Sequence, residues 1–256
     1  MQYGADFIRL SGDSDIQIIF TGSLKTPILG VLPYSGTSFW WSGRADGSLA
    51  TLQRTVDLTN TDAPTMTYST WYDLEAGFDY ATLECSSDGG ETWQILSVPS
   101  GSDEDPEGNN PGWGYTGTSG TPAAWIDEVV DLSPCTAAEA EIRFSTLTDA
   151  TGTGEGFVVD DIAIPQIGLD DVEDGTSGWE ARGFVRTDNF VKQEYLVLLV
   201  SFGDEIGVER LPVEVDQTAT WEMPLESAGW REAILIFSGM APLTHQPAFY
   251  QMAIEN

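Results

Sequence analysis

Carboxylates are the residues of this chain whose type and spacing bear on chemistry. Between Thr70 and Trp93 the sequence reads TWYDLEAGFDYATLECSSDGGETW, which puts Asp73, Glu75 and Asp79 within seven positions. Further on, GEGFVVDDIAI sets Asp160 and Asp161 side by side among the apolar Val158, Val159, Ile162 and Ile164. Acids placed this way suit acid–base catalysis, ligation of a hard cation, or plain solvation. Glycosidase chemistry needs only two carboxylates, and a chain with 41 acids always supplies two, so that reading gains little. Calcium is the better match, because it takes six to eight hard oxygen ligands at about 2.3–2.6 Å. The expected metal ligands are Asp73, Glu75, Asp79, Asp160 and Asp161, with Asp46 behind them. In a strand Asp73 and Glu75 share one face and Tyr72 and Leu74 the other. One of Asp160 and Asp161 must face inward or sit at a sheet rim, at a cost that a metal ion, Arg143 or Arg44 would remove.

Other chemistries lack their residues. Two cysteines, Cys85 and Cys135, and a single histidine, His245, exclude the usual Cys/His zinc sites. A Ser/His/Asp triad would have to use His245, and no G-x-S-x-G elbow, P-loop or G-x-G-x-x-G cradle is present. Non-enzymatic function is therefore expected. The cysteines either form one disulfide, if the protein is secreted, or remain two buried thiols.

The elements that must position these acids read as strands. The chain has 256 residues, 41% hydrophobic and 11% aromatic, enough for one large or two modest cores. Short runs of Val, Ile, Thr, Tyr, Phe and Trp alternate with Gly, Pro, Asn, Asp and Ser at a spacing near ten residues. Strands are predicted at 7–10, 16–21, 38–42, 51–57, 65–72, 80–86, 94–98, 126–131, 140–147 and 156–164. A second series follows at 179–187, 194–202, 207–215, 219–224, 232–238 and 248–254. The expectation is an all-β chain: a jelly-roll-like antiparallel β-sandwich over 1–165, then a smaller Ig-like β-sandwich over 166–256. SSDGGETW, Ser86 to Trp93, fits the Asp-box S-x-D-x-G-x-T-W, a hairpin turn in which Asp88 takes backbone N–H groups and Trp93 covers the turn. The Gly- and Pro-rich stretch 99–122 has no strand pattern and carries Trp113 and Tyr115. These rings either tuck the loop onto the body or, with Trp40 and Trp41, make a platform for a sugar. Alternation would bury one of Trp40 and Trp41 and leave the other at the rim.

A formal charge of -31 repels nucleic acid and anionic lipid and suits divalent cations. No apolar run approaches the ~20 residues that span a bilayer. No signal peptide opens the chain, which reads as a segment of a longer precursor.

Several segments together resemble one family. WWSGRADGSLATLQRTVDL, TWYDLEAGFDYATLECSSDGGETW, WIDEVVDLSP, IRFSTLTDATGTGEGFVVDDIAI and WEARGFVRTDN occur in this order. They resemble the MAM-like region after the catalytic domain of immune inhibitor A-type metallopeptidases of the M6 family, over about residues 38–190. REAILIFSGMAPLTHQPAFYQMAI resembles the tail of longer bacterial members. The resemblance implies a secreted β-sandwich region that binds calcium and accompanies a zinc protease. It gives no support to a pairing of Cys85 with Cys135. The family's H-E-x-x-H zinc motif is missing, so the peptidase chemistry does not reside in this chain. Three roles are expected, in this order: a calcium-stabilised accessory module of a secreted or surface protein, a glycan- or protein-binding adhesion module, and a self-assembling extracellular layer or filament.

Overall fold

The computed structural model describes residues 2–165 and 167–255. The chain is all-β, with strands that pair antiparallel. The first strands are β1 (Asp6–Leu10), β2 (Ile16–Gly22), β3 (Lys25–Pro27), β4 (Phe39–Trp41), β5 (Leu49–Val56), β6 (Thr65–Asp73) and β7 (Tyr80–Ser86). Next come β8 (Gln94–Ile95), β9 (Ile126–Asp131), β10 (Ala140–Leu147), β11 (Gly156–Ile164), β12 (Gly168–Asp170), β13 (Glu180–Arg182) and β14 (Val185–Thr187). The last are β15 (Phe190–Lys192), β16 (Tyr195–Phe202), β17 (Ile206–Leu211), β18 (Thr218–Met223), β19 (Glu232–Gly239) and β20 (Tyr250–Glu255).

Two compact units result: Val31–Asp188, and Met1–Gly30 together with Asn189–Asn256. This differs from the expected division at 165/166, a point that touches Gln166 and so lies outside the described residues. Strands β13 and β14, expected in the second sandwich, pair with β5 and β4 of the first. The opening strands go the other way: β1 pairs with β19, and β2 lies between β18 and β20. A break in composition marked a chain crossing, whereas unit membership is decided by which strands hydrogen-bond.

In the unit Val31–Asp188, sheet β13-β5-β10-β7-β8 faces sheet β14-β4-β11-β6-β9. Alternation puts Leu52, Leu83, Ile142 and Phe144 from the first sheet against Tyr68, Tyr72, Phe157 and Val159 from the second, all buried. Cys85 and Cys135 are joined as a disulfide inside this core. Trp179 and Phe184 also belong to it, which is why the segment after residue 166 stays with this unit. The loop 99–122 tucks inward. Tyr115 is fully buried, its hydroxyl 2.6 Å from that of Tyr68, and Trp113 Nε1 donates to the Val98 carbonyl at 2.8 Å.

β11 carries a bulge that explains its paired acids. Asp160 stands opposite Ser69 and Ala163 opposite Thr67, so one extra residue is inserted between them. Asp161 takes a left-handed φ of 48° at that point. The insertion resets the alternation, so that Val159 and Ile162 both reach the core while Asp160 points to the opposite face.

In the other unit, sheet β1-β19-β16-β17 packs on sheet β18-β2-β20 around Ile18, Phe20, Val197, Leu199, Trp221, Leu235 and Phe237. A short β3–β15 ribbon completes it.

Candidate metal centre

Register fixes where the acids gather. Leu147 lies opposite both Leu49 and Tyr80, Gly156 opposite Asp73, and Val158 opposite Trp41. The connections 42–48, 74–79 and 148–155 therefore emerge at one end of the sandwich. They bring Asp46, Glu75, Asp79 and Asp149 to that end.

Glu75, Asp79 and Asp149 each present a carboxylate oxygen within 4.8 Å of the others. Asp79 is 1% exposed, and its Oδ2 has no hydrogen-bond partner; Glu75 Oε2 is buried without one as well. The remaining contacts build the frame. Asp149 N–H donates to Asp79 Oδ1 at 2.9 Å, and Asp79 N–H to the Glu75 carbonyl at 2.9 Å. Thr151 N–H donates to Asp149 Oδ1 at 3.0 Å, and Thr153 N–H to Asp46 Oδ1 at 3.4 Å. Gly152 has φ +94°, and a Cβ there would lie 2.5 Å from Glu75 Oε2, so glycine makes room for that carboxylate.

Burial is the leading cause that pushes the Glu75 carboxyl above the usual range, followed by the charges of Asp149, Asp79 and Asp46. Burial likewise raises Asp79, against the N–H donors of Asp149 and Glu75. No basic side chain forms an ion pair with Glu75, Asp79 or Asp149 among the described residues; Arg44 pairs with Glu155 and Arg143 with Glu84. Carboxylates within 4.8 Å of one another repel when all are charged, and a cation among them would remove that repulsion. The donor set fits calcium. Its oxygens are hard, and oxygens on opposite sides of a calcium ion lie about 4.6–5.2 Å apart. A zinc site would want nitrogen or sulfur ligands.

The expected ligand set is thus partly assembled. Glu75 and Asp79 meet, with Asp46 close enough to raise them both. Asp149 was missed; it sits in TLTDATGTGEG, whose turn-forming Thr and Gly residues were the available signal. Asp73 stays outside the group, at the end of β6 opposite Gly156. Asp160 and Asp161 lie four and five residues further along β11, roughly 13 Å from Gly156. Among the described residues no arginine pairs with Asp160, and backbone N–H groups meet its two oxygens instead. Its Oδ2 accepts N–H groups of Tyr34 at 3.0 Å and Ser35 at 3.3 Å, and its Oδ1 that of Asp161 at 2.9 Å. Asp161 Oδ1 accepts the Ser35 hydroxyl at 2.7 Å.

The aromatic platform does not form. Tyr115 lies in the core, and Trp40 and Trp41 are both buried because β11 and β14 flank β4 on its two sides. Trp41 does face away from the core, as alternation requires, but donates from Nε1 to the Glu155 carbonyl at 2.9 Å and lies under Arg44. The Asp-box hairpin has the expected bonds. Asp88 Oδ1 accepts Thr92 N–H at 2.9 Å, Gly89 and Gly90 have positive φ, and Trp93 Nε1 donates to the Gly90 carbonyl at 3.1 Å. Hydrogen bonds from Ser86 and Thr92 lower the Asp88 carboxyl to about 2. These bonds are internal to the turn, so the hairpin is structural.

Comparison with known proteins places most of the first unit. Residues 22–189 match the family described as "Immune inhibitor A-like, MAM domain". Among curated proteins, "Pre-pro-metalloprotease PrtV" from two strains of Vibrio cholerae serotype O1 is 26% identical over 176 residues. The alignment covers 66% of this chain and 18% of the relative, so the chain spans under a fifth of the curated relatives it matches. A solved Streptomyces avermitilis alpha-L-rhamnosidase complexed with L-rhamnose gives a TM-score of 0.28 at 10% identity. That match covers 95% of this chain and 28% of the other.

Proposed function

The chain belongs to the immune inhibitor A-like MAM-domain family, and from that premise we propose that it is a calcium-stabilised, non-catalytic accessory module of a secreted M6-peptidase-like protein. The matched family is the MAM domain rather than a catalytic one, and the chain's single histidine, His245, cannot make H-E-x-x-H. The Cys85–Cys135 disulfide supports an oxidising, extracellular setting. Among the described residues no helix is long and apolar enough to cross a membrane.

One observation carries the calcium reading: three carboxylates within 4.8 Å, one of them on a residue that is 1% exposed and has an unpartnered oxygen. Glu75, Asp79 and Asp149 would hold the ion, with Asp46 on the facing loop. Bound calcium supplies positive charge that removes their mutual repulsion. The residues then tie three loops together at one end of the sandwich. In a protease-like protein such a module would present a fixed surface for substrate or cell-surface contact.

Thermal unfolding in EDTA and in excess calcium tests this. Ligand at about a hundred times its dissociation constant adds about 2.7 kcal/mol, which raises the transition of the unit Val31–Asp188 by about 5–10 °C. An equal midpoint in the two buffers would sink the proposal.

A further inference from the structure

The two outer faces of the unit formed by Met1–Gly30 and Asn189–Asn256 differ in kind. On sheet β18-β2-β20 the outward residues include Gln17, Thr21, Glu222, Gln251 and Glu255, as alternation gives a solvated face. On sheet β1-β19-β16-β17 the inward set is core, yet the outward set is also apolar. One cross-strand row runs Phe7, Ile236, Leu198, Arg210. The next runs Arg9, Ile234, Val200, Val208, and Phe202 and Ile206 extend the face beyond it. Phe7, Ile206 and Val208 are 68%, 69% and 68% exposed. Four strands of this length make a face about 20 Å by 20 Å, on the order of 400 Å². An apolar patch of about that size is as large as the largest on a typical soluble monomer, and such patches are often functional. Only Phe7 and Arg9 of these rows precede residue 195, and all of them lie outside the family match at 22–189.

The local charge is as unusual as the apolarity. The whole chain has 41 acids and 10 bases. This face has two arginines, at diagonal corners, and one acid, Glu232, paired with Arg9 at 3.0 Å. We propose that a second copy of the chain docks here, sheet on sheet. Two such faces related by an in-plane two-fold axis along the strands would set Arg9 over the partner's Val208 and Phe7 over the partner's Arg210. With the axis across the strands, Arg9 meets the partner's Phe7 and Arg210 the partner's Val208. Neither arrangement opposes arginine to arginine, and each guanidinium lays its stem on apolar surface while its head reaches the rim. The face, at about half the area one partner of a standard interface buries, is the size of an interface centre rather than of a whole interface. A standard interface buries about 800 Å² per partner with an apolar centre and a polar rim, and this face supplies the centre.

Sedimentation of the full chain in EDTA, over a range of NaCl, tests the assignment. Wild type is expected to reach twice its 27.8 kDa. The dimer tightens as salt rises, because two chains of charge -31 repel while apolar contact does not weaken. Leu198→Glu and Val208→Glu each weaken it at least about tenfold. Val208 is on an exposed edge strand, so its variant keeps the wild-type melting curve even if Leu198→Glu does not fold. Thr220→Glu, on the other sheet, dimerises like wild type. A chain that stays monomeric at every concentration and salt, or a dimer indifferent to Val208→Glu, would overturn the assignment; a monomer would leave the face to a different polypeptide.

Discussion

Asp160 and Asp79 are both buried carboxylates that form no ion pair with a basic side chain among the described residues, but their surroundings differ. Asp160 has three backbone N–H donors for its two oxygens, whereas Asp79 keeps one oxygen bare and shares its space with Glu75 and Asp149. The first has a hydrogen-bond partner for each oxygen, and the second is where the proposed calcium would sit. Burial, opposed by those donors, raises the Asp160 carboxyl to about 7. A carboxyl raised on folding contributes stability that is whole below the unfolded value near 3.9 and is lost as pH climbs through about 7. Following the Asp160 carboxyl carbon by NMR is expected to give a midpoint near 7, and a midpoint near 4 would contradict the account. The sequence displayed both acids equally. It could not tell them apart, because that depends on the backbone of Tyr34 and Ser35, 126 and 125 positions away.

At the scale of elements, the predicted strands 65–72, 80–86, 126–131, 140–147 and 156–164 correspond to β6, β7, β9, β10 and β11 within a residue. Alternating β-branched and aromatic residues carry that signal locally. The bulge in β11 was hidden, since FVVDDIAI reads as unbroken strand and only the partner's register reveals the extra residue. Parity across it was therefore misjudged, and with it the surroundings of both acids. Trp40 and Trp41 failed likewise: alternation gave their faces correctly but not the coverage from β11 and β14. The disulfide was left open by the sequence because Cys85 and Cys135 are 50 residues apart. Since that bond closes so long a loop, Cys135→Ala with Cys85→Ala is expected to cost about 2–5 kcal/mol in urea unfolding of the calcium-free chain. A loss below about 1 kcal/mol would show that the core, not the link, holds these strands.

At the scale of the whole molecule, composition made the all-β class and the acidic character plain, and the motif set made the family plain. The partition into units was not legible. β1 pairs with a strand more than 220 residues away, Asp6 standing opposite Phe237, and nothing in a local reading anticipates such a partner. Charge has a consequence at this scale too. With 41 acids the chain attracts divalent cations everywhere, so loose calcium association is expected and only a saturable site is informative. The most direct measurement is calorimetric titration of calcium into the EDTA-stripped chain at physiological salt. The account predicts one saturable site per chain, abolished by Asp79→Asn and retained in Asp160→Asn. Only diffuse heat in wild type, or a saturable site that survives Asp79→Asn, would contradict it.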